Sequence, residues 1–394
     1  MLTTLRQLPK SIWVLGLVSM FMDISSEMIH SLLPLFMVGT LGASTLTVGL
    51  IEGVSEAMTM VVKVFSGSLR DYLGKRKWLA VAGYALSAFT KPLFAVAPGI
   101  GLVFAARLAD RIGKGIRGAP RDALIADITP AGSRGAAFGL RQSLDTLGAF
   151  IGPLLAVGLM LLWANDFRKI FWIAVIPAML AVALLIFGVT EPDPQQKTKP
   201  GNPISRHNLQ RLGFDYWWVV AVGAIFTLAR FSEAFLVLRA QQVGVPLALV
   251  PLVMVAMNLV YAACAYPFGQ LSDKVNRVAL LAAGLLVLIL ADLALAYSTH
   301  WSALLLGVAL WGVHMGMTQG LLAAMVAATA PADLRGTAFG FFYLMSGVAL
   351  LIASTVAGML WDSYGAAFTF YAGAGFCVLT LIALLTAPHA PENA

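Results

Sequence analysis

Pro130-Ala131-Gly132-Ser133-Arg134-Gly135-Ala136-Ala137-Phe138-Gly139 returns as Pro331-Ala332-Asp333-Leu334-Arg335-Gly336-Thr337-Ala338-Phe339-Gly340, with seven of ten positions identical. Gly67 and Asp71 recur as Gly269 and Asp273, and Ser26-Glu27 recurs more loosely as Ser232-Glu233. Each offset is near 200 residues in a chain of 394. A long period of this kind marks a chain built from two related halves.

Composition says what medium the halves occupy. Hydrophobic residues make up 59% of the chain and charged residues 11%. A soluble domain carries about 25% charged residues, and a membrane-spanning helix needs about 20 apolar ones in a row. Apolar runs predict twelve spans at 11–37, 45–68, 77–97, 100–122, 136–161, 168–189, 215–239, 247–271, 278–298, 301–328, 336–361 and 365–387. The fold class expected is all-α and integral to the membrane, two pseudo-symmetric six-helix bundles. Residues 1–190 form the first and 214–394 the second. The Pro-rich polar stretch 191–213 is a linker. Met1 to Lys10 leads into the first span, which is too long and too acidic for a cleaved signal.

The net charge of +7 would suit nucleic acid in a soluble protein, but no polar domain is available to hold it. The basic residues are better read as an orientation signal. Arg6, Lys10, Arg70, Lys75, Arg76, Lys77, Arg121, Arg134, Lys197, Lys199, Arg206, Arg211, Lys274, Arg277 and Arg335 lie on one side. Arg168, Lys169 and Arg239 lie on the other. Fifteen against three places both termini and the linker in the cytoplasm of a bacterial cell, with the chain in its inner membrane. Cys264 and Cys377 sit in apolar runs and offer neither a disulfide framework nor metal-ligand spacing.

The turn after the second span reads Gly67-Ser68-Leu69-Arg70-Asp71-Tyr72-Leu73-Gly74-Lys75-Arg76-Lys77. This resembles the signature loop of the major facilitator superfamily. The resemblance implies a conformational latch at Gly67, Asp71, Gly74 and Arg76, with Asp273 as its echo. Arg111-Ile112-Gly113-Lys114-Gly115-Ile116-Arg117 is similar to the family's second motif, in which a mid-membrane arginine is associated with proton coupling. Lys114 and Arg117 stand where the family usually has neutral residues. Gly148 to Val157, with its Gly152-Pro153 kink, is similar to the motif of the antiporter branch and implies export. The Ser25-Ser26-Glu27 and Arg111 to Arg121 segments are loosely similar to drug or nickel/cobalt resistance permeases.

Charges inside the spans mark where chemistry happens, since each costs about 2.5–3.5 kcal/mol at mid-bilayer. Asp23, Glu27 and His30 share one helical face; Glu52, Glu56 and Lys63 make a second stripe, and Arg107, Arg111 and Lys114 a third. Arg141–Asp145 and Arg230–Glu233 are spaced for ion pairs. Asp23, Glu27 and Glu56 are candidate proton carriers, with Arg111 as modulator. His30, Glu52, Arg107, Lys114, Arg141, Asp145, Arg230, Glu233, His314 and Met315 are candidate substrate contacts. Asp23, Glu27, His30 and His314 are also candidate ligands for a borderline divalent ion. The basic stripe argues instead for an anionic or zwitterionic solute. No nucleophile elbow, phosphate loop or His-rich motif is present, which excludes an ATP-driven pump and argues against an enzyme. The expected protein is a monomeric, cofactor-free, proton-coupled exporter of a small solute or metal ion. An importer is the alternative, and a membrane enzyme or sensor the distant third.

Overall fold

A computed structural model describes residues 8–73, 76–130, 133–190, 209–272, 274–318, 320–331 and 334–385, with the side chains of 67–73 left out. The helices are α1 (Lys10–His30), α2 (Thr45–Leu73), α3 (Arg76–Val96), α4 (Ile100–Ile128), α5 (Arg134–Leu162), α6 (Phe167–Gly188) and α7 (Phe214–Leu228). They continue with α8 (Ala234–Gln242), α9 (Leu252–Ser272), α10 (Arg277–Ala296), α11 (Trp301–Thr318), α12 (Leu321–Thr329), α13 (Arg335–Tyr364) and α14 (Ala366–Leu385). Helix occupies each of the twelve expected stretches. Among the described residues, nine helical segments are long and apolar enough to cross a membrane. Helices α2 and α4 fall short because they carry the interior charges, and α7 because it is short.

Among the described residues, four stretches expected as continuous helices are interrupted, the eighth only at its start, where a 3-10 turn at Leu247–Leu249 precedes α9. The first passes from α1 through Leu33–Leu35 into a π-helical turn at Phe36–Thr40. The seventh breaks at 229–233, where Arg230, Ser232 and Glu233 interrupt an apolar run. A break inside a membrane leaves backbone donors that need partners. Here the N–H of Ser232 donates to Ser354 Oγ at 3.2 Å, and the N–H of Ala234 to Ser232 Oγ at 3.2 Å. The tenth breaks before α12 at Gly320, whose φ of 88° suits glycine.

The chain forms two compact units. The first comprises Met1–Ala43, Val54–Gly201 and Pro246–Val255, and the second Ser44–Gly53, Asn202–Val245 and Ala256–Ala394. Within the first, α1 packs on α5 and α6, and α3 on α4 and α6. Within the second, α7 packs on α13 and α14, and α10 on α11 and α14. The two patterns are the same once the broken helices are joined, so the sequence repeat is a repeat of packing.

Glycines set the closest approaches. A Cβ on Gly83 would lie 2.8 Å from the Gly113 carbonyl oxygen, and one on Gly113 2.7 Å from that of Gly83, so α3 and α4 touch backbone to backbone. Within the second unit, Asp362 near the end of α13 caps α2. It accepts from the N–H groups of Thr45 (3.1 Å) and Leu46 (2.8 Å) and from the Thr45 hydroxyl. Asp362→Ala is expected to cost about 1 kcal/mol, the usual worth of an N-cap. Thermal unfolding in detergent should show this as a midpoint lowered by about 2 °C.

Arginines close two helix ends. Arg168 donates to the carbonyls of Ala95 (2.9 Å) and Ala97 (2.7 Å) beyond α3. Arg239 donates to those of Leu295 (3.0 Å), Ala296 (3.1 Å) and Ser298 (2.8 Å) at the end of α10. Asp166 caps α6, and the backbone N–H of Lys169 that it accepts holds its carboxyl below the ordinary range.

Candidate functional site

The first unit gathers charge on two adjoining helix pairs. On the first pair, α5 meets α1 through Gly148 and Gly152. A Cβ on Gly148 would lie 2.5 Å from the Met20 carbonyl oxygen and 3.1 Å from Asp23 Cβ. One on Gly152 would lie 2.8 Å from the Ile24 carbonyl oxygen and 2.9 Å from Glu27 Cβ. Small residues four apart therefore dock α5 on the acidic face of α1. Asp23 is hydrogen-bonded to Asp145 of α5, and Asp145 receives Arg141 Nη2 at 2.9 Å. One turn on from Asp23, Glu27 stands 3.5 Å from His30 Nδ1.

The second pair, α3 and α4, carries a denser network. Arg111 pairs with Glu56 of α2 at 2.9 Å, and the hydroxyl of Thr59 donates to the Arg111 carbonyl at 3.3 Å. Lys91 Nζ reaches Asp110 at 2.9 Å and Ser26 Oγ at 3.1 Å. Arg117 donates to Ser87 Oγ at 2.8 Å, and its guanidinium lies 4.8 Å from the Tyr84 ring centroid. The Ser87 hydroxyl donates to the Asp110 carbonyl at 3.1 Å. Lys91, Asp110, Arg107, Arg111 and Arg117 are all buried, whereas Lys114 is exposed. Its field reaches Asp23, Glu27 and Glu56. Glu52, also buried, falls in the second unit and not with Glu56.

The second unit is drier. His314 Nδ1 bonds the Gly284 carbonyl at 2.8 Å, and its ring tilts against Phe226 at 5.6 Å. Met315 is half-buried beside it. Arg230 stands 5.7 Å from the Phe226 ring centroid and within electrostatic reach of Glu233, both in the α7–α8 break. Among the described residues, no three His, Cys, Asp or Glu side chains gather as around a metal ion. Asp23, Glu27 and His30 belong to one unit and His314 to the other.

Of the expected latch, Gly74 and Asp273 lie outside the described residues, as do the side chains at Gly67 and Asp71. Arg76 forms an ion pair with Asp127 of α4. Gly152 and Pro153 lie within α5, the glycine at its contact with Glu27. Sequence reasoning assigned no role to Lys91, Asp110, Ser26, Ser87 or Asp292. The first four meet across helices, which no single-helix spacing reveals.

The chain matches the Major Facilitator Superfamily model over residues 15–239 and again over 218–394. It is 34% identical to an uncharacterised MFS-type transporter of Methanocaldococcus jannaschii, over 96% of this chain and 95% of that protein. It is 23% identical to the inner membrane transport protein YajR of Escherichia coli, over 97% of this chain and 84% of that one. Among solved structures, a POT family transporter in complex with 5-aminolevulinic acid superimposes with a TM-score of 0.79 at 14% identity, covering 98% of this chain and 99% of that one. The nucleoside transporter NupG superimposes with a TM-score of 0.80 at 13% identity, covering 95% and 99%. The chain belongs to the major facilitator superfamily and is a multi-pass membrane transporter, not an enzyme.

Proposed function

We propose that the chain is a proton-coupled exporter of a small solute bearing an anionic group, working by alternating access from the bacterial inner membrane as a monomer. The Asp23–Asp145 contact carries this reading, because two carboxyl groups that meet between helices can share one proton, and a shift of α5 against α1 would expose it. Glu56 and Arg111 form a second switchable element. Protonating Glu56 frees the guanidinium, and an anionic solute can take the vacated place. The exposed Lys114 adds a positive field beside these acids, which suits a carboxylate or phosphate on the solute. Export is favoured by the Gly152-Pro153 kink, which lies where α5 touches the Glu27 turn.

Everted vesicles with an acid interior, containing a pH-sensitive dye, test this. A panel of organic anions and zwitterions, with nickel and cobalt chlorides beside it, is added outside. Wild-type vesicles should lose part of the gradient on adding one of the organic solutes, and Asp23→Asn and Glu56→Gln should each reduce the response at least about tenfold, the usual scale for a proton-transfer group. Full proton-driven transport in Asp23→Asn, Glu27→Gln and Glu56→Gln alike would sink the coupling assignment. A response to the metal salts alone would sink the solute class.

A further inference from the structure

The second unit holds one carboxyl group that the reading above does not use. Asp292 lies on α10 with no surface exposed to solvent, and among the described residues neither of its oxygens has a hydrogen-bond partner. It faces Gly373 on α14: a Cβ there would lie 2.5 Å from Asp292 Oδ2 and 3.2 Å from its carboxyl carbon. Phe231, from the α7–α8 break, closes the same spot, with a ring carbon 3.1 Å from that imagined Cβ. The missing methyl of Gly373 is thus the space that one carboxyl oxygen fills.

Among the described residues, groups on the elements around α10 offer it no salt bridge. His314 on α11 is engaged two turns away at Gly284. Tyr371 on α14 packs against Tyr297 at 5.7 Å. Arg239 is spent on carbonyls at the end of α10, and Glu233 lies in the α7–α8 break. Cys377, buried one turn beyond Gly373, is within electrostatic reach of Asp292 on one side and Arg230 on the other.

An ionised carboxylate without a partner in such a place costs many kcal/mol, and the group protonates instead. A neutral acid with nothing to bond is still disfavoured against an apolar residue of its size. We propose that Asp292 is a proton-binding site of the second unit, loaded in the conformation described and emptied to water when α10 and α14 part during transport. The proposal rests on the proton-coupled reading and adds a second proton to it, in the second unit. On release the O–H bond of the acid breaks and water takes the proton, leaving a hydrated carboxylate.

The test needs no substrate, so its failure is separable from that of the vesicle assay. The full chain with Cys264→Ser, which leaves Cys377 as the single thiol, is placed in lipid nanodiscs. Infrared spectra are taken from about pH 6 to about pH 10, the range into which a buried carboxyl can be moved. Wild-type Asp292 should give the carbonyl band of a protonated acid at the low end. That band should fade as pH rises and be absent in Asp292→Asn and in Asp292→Leu, the second variant guarding against a folding defect in the first. Labelling of Cys377 by a membrane-permeant maleimide, corrected for thiol ionisation with the Asp292→Asn protein, should rise severalfold over the same range in wild type only. A spectrum unchanged by both substitutions, or a band that persists at high pH with Cys377 labelling equal in wild type and variant, overturns the proposal.

Discussion

Lys91→Met is expected to destabilise the protein by about 3–5 kcal/mol, the cost of stranding one member of a buried ion pair. Its ammonium is almost wholly enclosed, 2.9 Å from Asp110 and 3.1 Å from the Ser26 hydroxyl. Removing it takes from the buried Asp110 carboxylate the cation that bonds it directly and leaves Arg107, Arg111 and Arg117 as its charged neighbours. The carboxylate must then protonate, draw in water or open the α3–α4 contact. A thermal midpoint lowered by roughly 5 °C or more should register the loss. Asp110→Asn should cost a similar amount, and the double variant Lys91→Met/Asp110→Asn should recover much of it, since it strands no charge. The double-mutant cycle then reports a coupling well above the about 0.5 kcal/mol seen for independent sites. Additive losses would show that the two residues act separately and that the pair is not what holds this part of the bundle.

The second large effect is steric. Gly113→Ala places a methyl group 2.7 Å from both the Gly83 carbonyl oxygen and the Ser87 hydroxyl. One of these atoms is backbone, so α3 and α4 must separate, and overpacking of this kind costs about 1–3 kcal/mol. The separation would also strain the Arg117–Ser87 bond, which bridges the same two helices. Gly118→Ala on the same helix is the control. A Cβ there meets nothing within 4 Å, so the helix-propensity gain of up to about 1 kcal/mol should appear alone. Equal midpoints for the two variants would mean that the α3–α4 approach is looser than described.

These two cases show why the interior was only partly legible in the sequence. Span positions could be read because twenty apolar residues in a row admit few alternatives, and α3, α5, α6 and α10 begin and end within about two residues of the apolar runs. Arg141–Asp145 could be read because four residues on one helix bring side chains together. Lys91–Asp110 and Asp23–Asp145 could not, because each joins two helices whose facing depends on glycines at the crossing. The break at 229–233 was hidden for another reason. Its polar residues looked like an ion pair inside a helix, whereas Ser354, far along the chain, supplies the bond that lets the helix end there.

The three basic residues that the charge count sets apart from the other fifteen are all engaged in the structure. Arg168 and Arg239 are engaged by the carbonyl oxygens at the ends of α3 and α10, and Lys169 lies 3.2 Å from Asp166. A cation held by helix-end carbonyls meets the negative end of the backbone dipole and projects little field into water. Each of the two arginines is therefore quieter in potential than a residue count implies. Because their neutralising partners are backbone atoms that do not titrate, this quenching should persist through any swing of pH.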